Sequence, residues 1–192
     1  MTHLSQSFKK FLETIDQKPT FFVDFDETLV STNKINNFDE ELNDLLEDEN
    51  VSKYIFNHKG RNMVSFLRPH AIEFLTELKK LGKVYILTAA DKEFQLPIKN
   101  YFKIPINDND VFGISEYSHV PYHRNSYLID NLDFHQSDII DKLTAMGHPP
   151  EYSEKDYDFV ENDRHIKVKP FHFHHVHTDR ELINLLNFIK QL

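Results

Sequence analysis

The chain has no cysteine. That excludes a disulfide framework, a cysteine nucleophile and a thiolate zinc site, and it fits a reducing compartment. No apolar run approaches the length of a membrane span. The opening residues, MTHLSQSFKKFLETIDQ, carry no long apolar stretch behind a basic one, so no secretory signal is expected. A cytoplasmic location is expected, or a nuclear one in a eukaryote. Positive charge is scarce: 22 Lys and Arg face 31 Asp and Glu, for a formal net charge of -9. Such a surface repels phosphate backbones, so extended duplex binding is disfavoured, while a nucleotide or a short nucleic-acid end stays open. Internal repeats and low-complexity segments are also missing.

What is present is an ordinary globular balance, with 40% apolar and 13% aromatic residues over 192 positions. That length suits a single domain, 1–192, with a small irregular insertion near 33–62.

Thr20-Phe21-Phe22-Val23, Val84-Tyr85-Ile86-Leu87-Thr88 and Ser126-Tyr127-Leu128-Ile129-Asp130 read as strands buried on both faces of a mainly parallel sheet. Helices are expected between and around them. One covers Leu4 to Ile15. An acidic one runs from Phe38 to Glu47. One lies between Pro69 and Gly82, and one follows Asp91, which can cap it, with Pro97 inside as a cause of a kink or a late start. Another runs from Ser137 to Met146. The last is opened by Thr178-Asp179-Arg180-Glu181, read as a capping box. A turn at 58–62 joins two short strands, a further strand falls within Ile166–Val176, and 148–164 reads as loop. The fold class is therefore α/β with right-handed crossovers.

In open sheets of this kind ligands bind beyond the carboxyl ends of the strands. Three strands end there in polar residues: Asp24 with Asp26, Thr88, and Asp130 with Asn131. Each alone has a common structural reading, as a turn, a cap or a strand-end hydroxyl. Together, each following a buried strand, they point to one site. Paired carboxylates repel and need a cation or a shared proton; magnesium prefers hard oxygen ligands and keeps several waters. Asp24 suits a nucleophile that attacks phosphorus to form an aspartyl-phosphate. Asp26 suits a general acid that later activates water. Thr88 can donate to a phosphoryl oxygen.

These residues resemble the haloacid dehalogenase superfamily of phosphotransferases. Val23-Asp24-Phe25-Asp26-Glu27-Thr28-Leu29-Val30 resembles its first motif, in the form found in RNA polymerase II C-terminal-domain phosphatases and their NLI-interacting-factor-like relatives. Leu67-Arg68-Pro69-His70-Ala71-Ile72-Glu73-Phe74-Leu75 is similar to that branch's R-P-G-x-x-E-F-L segment, with His70 where glycine is usual. Tyr85-Ile86-Leu87-Thr88-Ala89-Ala90 resembles the second motif, and Leu128-Ile129-Asp130-Asn131 the fourth. The likeness spans about residues 20–190, with an unmatched middle. It implies a Rossmann-like fold without a large cap domain and a magnesium-dependent phosphatase. In it Asp24 is nucleophile and metal ligand, and Asp26 is acid/base and ligates the metal through its carbonyl. Asp130 and Asn131 hold the metal, and Thr88, with Ala89 and Arg124, binds phosphate. The implied partner is a phosphorylated substrate, with a phosphoprotein favoured by likeness. A nucleotide or polynucleotide-end phosphatase is the alternative, as is a binding protein on the same fold.

One departure stands out. The family pairs its nucleophile with a third-motif lysine, yet no lysine lies between Lys103 and Asp130. His119, His123, Arg124, Lys103 and Lys92 are the candidates to replace it. The histidine-rich Phe171–His177 also invites a metal reading, but no acid or cysteine signature accompanies it. An exposed or half-buried strand near the rim of the site is expected there, with His172 and His174 on one face. Arg68 is open between a phosphate contact and a structural role.

Overall fold

The computed structural model describes residues 18–35, 39–121, 123, 125–132, 136–147 and 165–190. The helix expected over Leu4 to Ile15, the loop at 148–164 and Arg124 lie outside the described residues. Strand β1 (Thr20–Val23) occupies the centre of a five-stranded sheet. Its neighbours are β5 (Lys83–Leu87) and β7 (Ser126–Asp130), and the order is completed by the two-residue β6 (Val111–Phe112) beside β5 and by β8 (His165–Lys167) beside β7. Every pairing in this sheet is parallel.

Alternation along the strands divides the core. Phe21 and Val23, Val84 and Ile86, and Tyr127 and Ile129 point to one face. They meet Ala71, Phe74, Leu75 and Leu78 of α2 (Ala71–Leu81), Ile98 of α3 (Lys92–Tyr101), and Leu182, Leu186 and Ile189 of α5 (Glu181–Lys190). Phe22, Tyr85, Leu87 and Leu128 point to the other face, against Ile139 and Leu143 of α4 (Ser137–Ala145) and Met146 just beyond it. Phe22 stacks on Tyr85 with ring centroids 5.1 Å apart. Full burial of each large apolar side chain is worth roughly 1.5–3 kcal/mol, which explains why runs without polar residues form these strands.

Between β1 and β5 the chain builds a second layer. Strands β2 (Val30–Lys34), β4 (Arg61–Leu67) and β3 (Lys53–His58) form an antiparallel sheet in that order. The acidic helix α1 (Glu40–Glu47) is capped by Asp39, whose carboxylate accepts from Leu42 N at 3.0 Å. The expected hairpin is present; β2 was not foreseen, because VSTNK has no apolar alternation and pairs through polar contacts such as Thr32 with Ser65. Among the described residues, no large cap domain stands over the sheet and no helix is long and apolar enough to cross a membrane.

Several expectations are corrected. The strand expected within Ile166–Val176 ends at Lys167, and Phe173–His175 is a 3-10 turn. The histidines therefore do not share a strand face. His174 Nδ1 lies 2.7 Å from Glu41 Oε2 and His177 Nε2 lies 3.4 Å from Asp48 Oδ2, so the turn clasps α1 and the residue after it. The capping box is replaced by another arrangement: Glu181 N donates to Asp179 Oδ1 at 3.0 Å, and the Glu181 carboxylate accepts from Lys169 N. Asp91 sits at the start of α3 without a side-chain capping bond, and α3 starts at Lys92 with Pro97 inside it.

Candidate active site

Asp24 is the first residue after β1. The register pairs Val23 with Ile129, and Asp24 N donates to Ile129 O at 2.8 Å, which sets Asp24 and Asp130 side by side at the carboxyl edge. Counting by twos from Phe22 and Leu128 puts both carboxylates on the α4 face. Lys142 comes up from α4 to meet them. Its Nζ lies 2.6 Å from Asp24 Oδ1 and 2.6 Å from Asp130 Oδ2. Asp24, Asp130 and Lys142 are all buried, at 4%, 0% and 1% exposure, so water screens these charges little.

Lys142 is the cation that the upstream segment lacks. His119 is exposed, Lys92 pairs with Glu116 at 3.4 Å, and His123 lies 3.4 Å from the Tyr85 hydroxyl. Lys103 sits in a left-handed turn just past α3. Sequence reasoning missed Lys142 because it searched between the second and fourth motifs, following the family order. A signal was available: Ile139, Lys142, Leu143 and Met146 form one buried stripe, and a lysine in such a stripe needs a buried acid.

Asp26 lies where the chain leaves the sheet, bridged to Val30. The Gln95 side chain donates through Nε2 to Asp26 Oδ2, and the Thr88 hydroxyl also favours the charged form of Asp26. Thr88 follows β5, is buried, and accepts from Ala90 N at 3.2 Å. Ala89, between them, is half-buried. The structure thus brings together Asp24, Asp26, Thr88 and Asp130 from three strand ends.

Burial pushes the Asp26 carboxyl up to about 6, with Gln95 pulling against it. Burial likewise pushes Asp24 up to about 7; Lys142 opposes this and the Asp130 charge adds to it. Burial alone would lower Lys142, but Asp24 and Asp130 together hold its pKa above the ordinary lysine value.

The loop after Asp26 is fixed from below. Glu27 adopts φ 56° and its N–H donates to Val30 O at 2.7 Å. Thr28 Oγ1 donates to Asn131 Oδ1 at 3.0 Å, and Asn131 Nδ2 donates to Glu27 Oε2 at 3.3 Å. Asn131 therefore ties the first motif to the fourth. Arg68 is fully buried beneath the same loop. It donates to Thr28 O at 3.1 Å, to Lys169 O at 2.9 Å and, as a fork, to both Asp179 oxygens at 3.0 and 2.9 Å. All this hydrogen bonding goes to the protein, so Arg68 is a buttress and not a phosphate contact.

The sheet order, the helices on both faces and the acidic carboxyl edge define the fold of the haloacid dehalogenase phosphotransferases. Residues 19–138 match the NLI interacting factor-like phosphatase family, and the chain belongs to this family of phosphatases. No curated protein matches the chain significantly in sequence. Among solved structures, it is similar to the fission yeast RNA polymerase II CTD phosphatase Fcp1-R271A bound to beryllium fluoride, with 14% identity and a TM-score of 0.51. The comparison covers 98% of this chain and 54% of that one. A second structure of Fcp1, described as an essential RNA polymerase II CTD phosphatase, gives 13% identity and a TM-score of 0.54 over 98% of this chain and 65% of that one. The chain thus spans between half and two thirds of those structures, and at such identities the likeness concerns the fold.

Proposed function

We propose that this phosphatase is a magnesium-dependent phosphomonoesterase that works through an aspartyl-phosphate on Asp24. The observation that carries this reading is the shared lysine: two carboxylates 106 positions apart take the same Nζ at 2.6 Å. A lone buried ion pair is a weak functional signal, but one ammonium facing the three acids Asp24, Asp26 and Asp130 leaves excess negative charge at the carboxyl edge of the sheet. That hard-oxygen donor set fits magnesium. Among the described residues no group of three or more His, Asp or Glu side chains is arranged to hold a metal unaided. The ligands would be the Asp24 and Asp130 carboxylates, the Asp26 carbonyl and water. Asn131 would act through water, since its Oδ1 already accepts from Thr28. When bound, the ion neutralises phosphate charge and aligns the ester with its nucleophile.

The chain's own residues account for the two steps. Asp24 attacks phosphorus, forming an O–P bond as the bond to the leaving oxygen breaks. Asp26 gives its proton to that oxygen, and a pKa near 6 leaves a usable protonated fraction close to neutrality. Water then attacks the phosphoryl group, Asp26 takes its proton, and Asp24 is released. Lys142 holds Asp24 ready, and Thr88, with the backbone beside Ala89, binds the phosphoryl oxygens.

A phosphoserine or phosphothreonine protein is the favoured substrate class, supported by the C-terminal-domain phosphatases to which the fold is similar. Nucleotides and polynucleotide ends form the competing class. Lys142 removes the main support for a purely binding role, which was the missing cation. The test is a panel of 4-nitrophenyl phosphate, phosphopeptides and nucleotides with magnesium. Wild type should turn over at least the aryl phosphate, and Asp24→Asn should not. Absence of wild-type turnover on every phosphomonoester would sink the reading.

A further inference from the structure

Gln95 is in the first turn of α3, with no exposed surface, and its one side-chain hydrogen bond among the described residues links that helix to the first motif 69 positions away. Its Nε2 donates to Asp26 Oδ2, while its Oε1 is buried without a partner among the described residues. A buried acceptor left unpaired costs free energy, so this amide is poorly explained as a stabilising core residue. A leucine or methionine would fill the space without that cost. Its neighbours on the buried face of α3, Ile98 and Lys99, have ordinary uses: Ile98 joins the main core, and Lys99 Nζ reaches Asp108 at 2.6 Å and Asn100 at 2.8 Å. Gln95 alone is aimed at the site.

From this we infer that Gln95 is a positioning residue for the general acid, fixing the rotamer of Asp26 so that its carboxyl meets the leaving oxygen. Without the amide, the Asp26 side chain stands at the start of an irregular loop, with Thr88 as its remaining hydrogen-bond partner among the described residues. A terminal carboxyl torsion is broad, and proton transfer needs hydrogen-bond geometry at the moment of bond breaking. Thr88 is also needed for the phosphoryl group, so a second holder separates the two tasks. The inference rests on the phosphomonoesterase reading above.

The test exploits leaving-group chemistry. An aryl phosphate such as 4-nitrophenyl phosphate departs as a stable anion and needs little help from an acid. An alkyl phosphate such as phosphoserine in a peptide depends on it. Gln95→Met keeps the volume and removes the amide; Gln95→Glu keeps the length and polarity and replaces the donor by an acceptor. Each variant should lose at least about tenfold more kcat/KM on the alkyl than on the aryl ester, a fraction of the 10²–10⁴ that a general acid supplies. The ratio of the two losses does not depend on the folded fraction, so a poorly folding variant still reports. Equal losses on both esters, or none, overturn the assignment while leaving the phosphatase reading intact. Failure of wild type to hydrolyse any phosphomonoester, aryl or alkyl, overturns both.

Discussion

Lys142 Nζ bridges Asp24 and Asp130 at 2.6 Å to each, although it follows both in the chain. The cation beside Asp24, the proposed nucleophile, thus comes from the helix after the fourth-motif strand instead of from the segment before it. The geometry follows from the sheet: β1 and β7 are neighbours, Asp24 just past β1 and Asp130 at the end of β7 share the α4 face, and α4 is the next helix after β7.

Replacing that cation should damage chemistry and stability together. Lys142→Met leaves two buried carboxylates facing each other. Loss of one partner from a buried pair costs about 3–5 kcal/mol, read as a lower urea midpoint in EDTA. Magnesium should recover part of that loss. Loss of a charge that stabilises the reacting centre should lower kcat at least about 10²-fold. Lys142→Arg keeps the charge but not the compact ammonium, and should be intermediate. Near-wild-type turnover by Lys142→Met would show that another cation does the work.

Much of this was legible in the sequence. β1, β5 and β7 are built on the apolar runs Phe21–Val23, Val84–Leu87 and Tyr127–Ile129, and a strand buried on both faces needs such a run, so Asp24, Thr88 and Asp130 could be placed at one edge. Pro69 and Gly82 bracketed α2. Lys142 was hidden because motif order was taken from family likeness, whereas strand parity would have directed the search to α4. Gln95 was hidden because a single polar residue on a helix has no periodic signature. The Phe171–His177 segment looks like a strand by composition; its partners in α1 are far away in sequence and turn it into a clasp.

The pH dependence of the metal-free protein has a defined sign. Asp24 and Asp26 start from an unfolded value of 3.8 and are raised to about 7 and about 6 on folding. Between about pH 4 and pH 7 these two groups therefore hold more protons in the native state than in the unfolded one. Their contribution to stability falls as pH rises through that window and levels off above it. His123, lowered by burial, acts in the opposite sense, so the comparison must be with variants that share it. In EDTA, the melting temperature of Asp26→Asn should fall less than that of wild type between pH 4 and pH 6. Asp24→Asn should flatten the curve up to pH 7. Magnesium, by favouring the charged carboxylates, should flatten it for wild type. A wild-type curve that climbs over this range relative to both variants would contradict the assigned shifts.

Arg68 should tolerate no replacement. Its guanidinium satisfies Thr28 O, Lys169 O and both Asp179 oxygens and lies 5.5 Å from the Phe171 ring centroid. Arg68→Lys cannot reproduce the planar fork and should cost at least about 2 kcal/mol; Arg68→Ala, which leaves Asp179 without its buried partner, should cost about 3–5 kcal/mol. Because Thr28 also bonds Asn131, the lysine variant should bind magnesium more weakly than wild type even where it is fully folded. Titration of magnesium against intrinsic tyrosine fluorescence or turnover would read this. Unchanged magnesium affinity in a folded Arg68→Lys protein would confine Arg68 to stability.

Two positions at the ends of α2 should respond in opposite directions. His70 precedes the helix with φ 63°, in the left-handed region, where the similar family segment has glycine. A non-glycine residue there costs about 1–2 kcal/mol, and glycine's extra freedom in the unfolded chain takes back roughly 0.5–1 kcal/mol. The exposed pair His70–Glu73 adds little. His70→Gly should therefore stabilise by up to about 1 kcal/mol. Gly82 closes the same helix with φ -164°, extended backbone open to any residue, so its requirement is space and not conformation. A Cβ there would sit 2.0 Å from Pro19 O, a backbone atom at the entry to β1. Gly82→Ala must push β1 away from β5 and should destabilise by about 1–3 kcal/mol. Urea unfolding of the two single variants and their double mutant checks both, and the double should be additive because no contact links the sites. A destabilised His70→Gly would mean that the imidazole makes a contribution larger than its surface pair with Glu73.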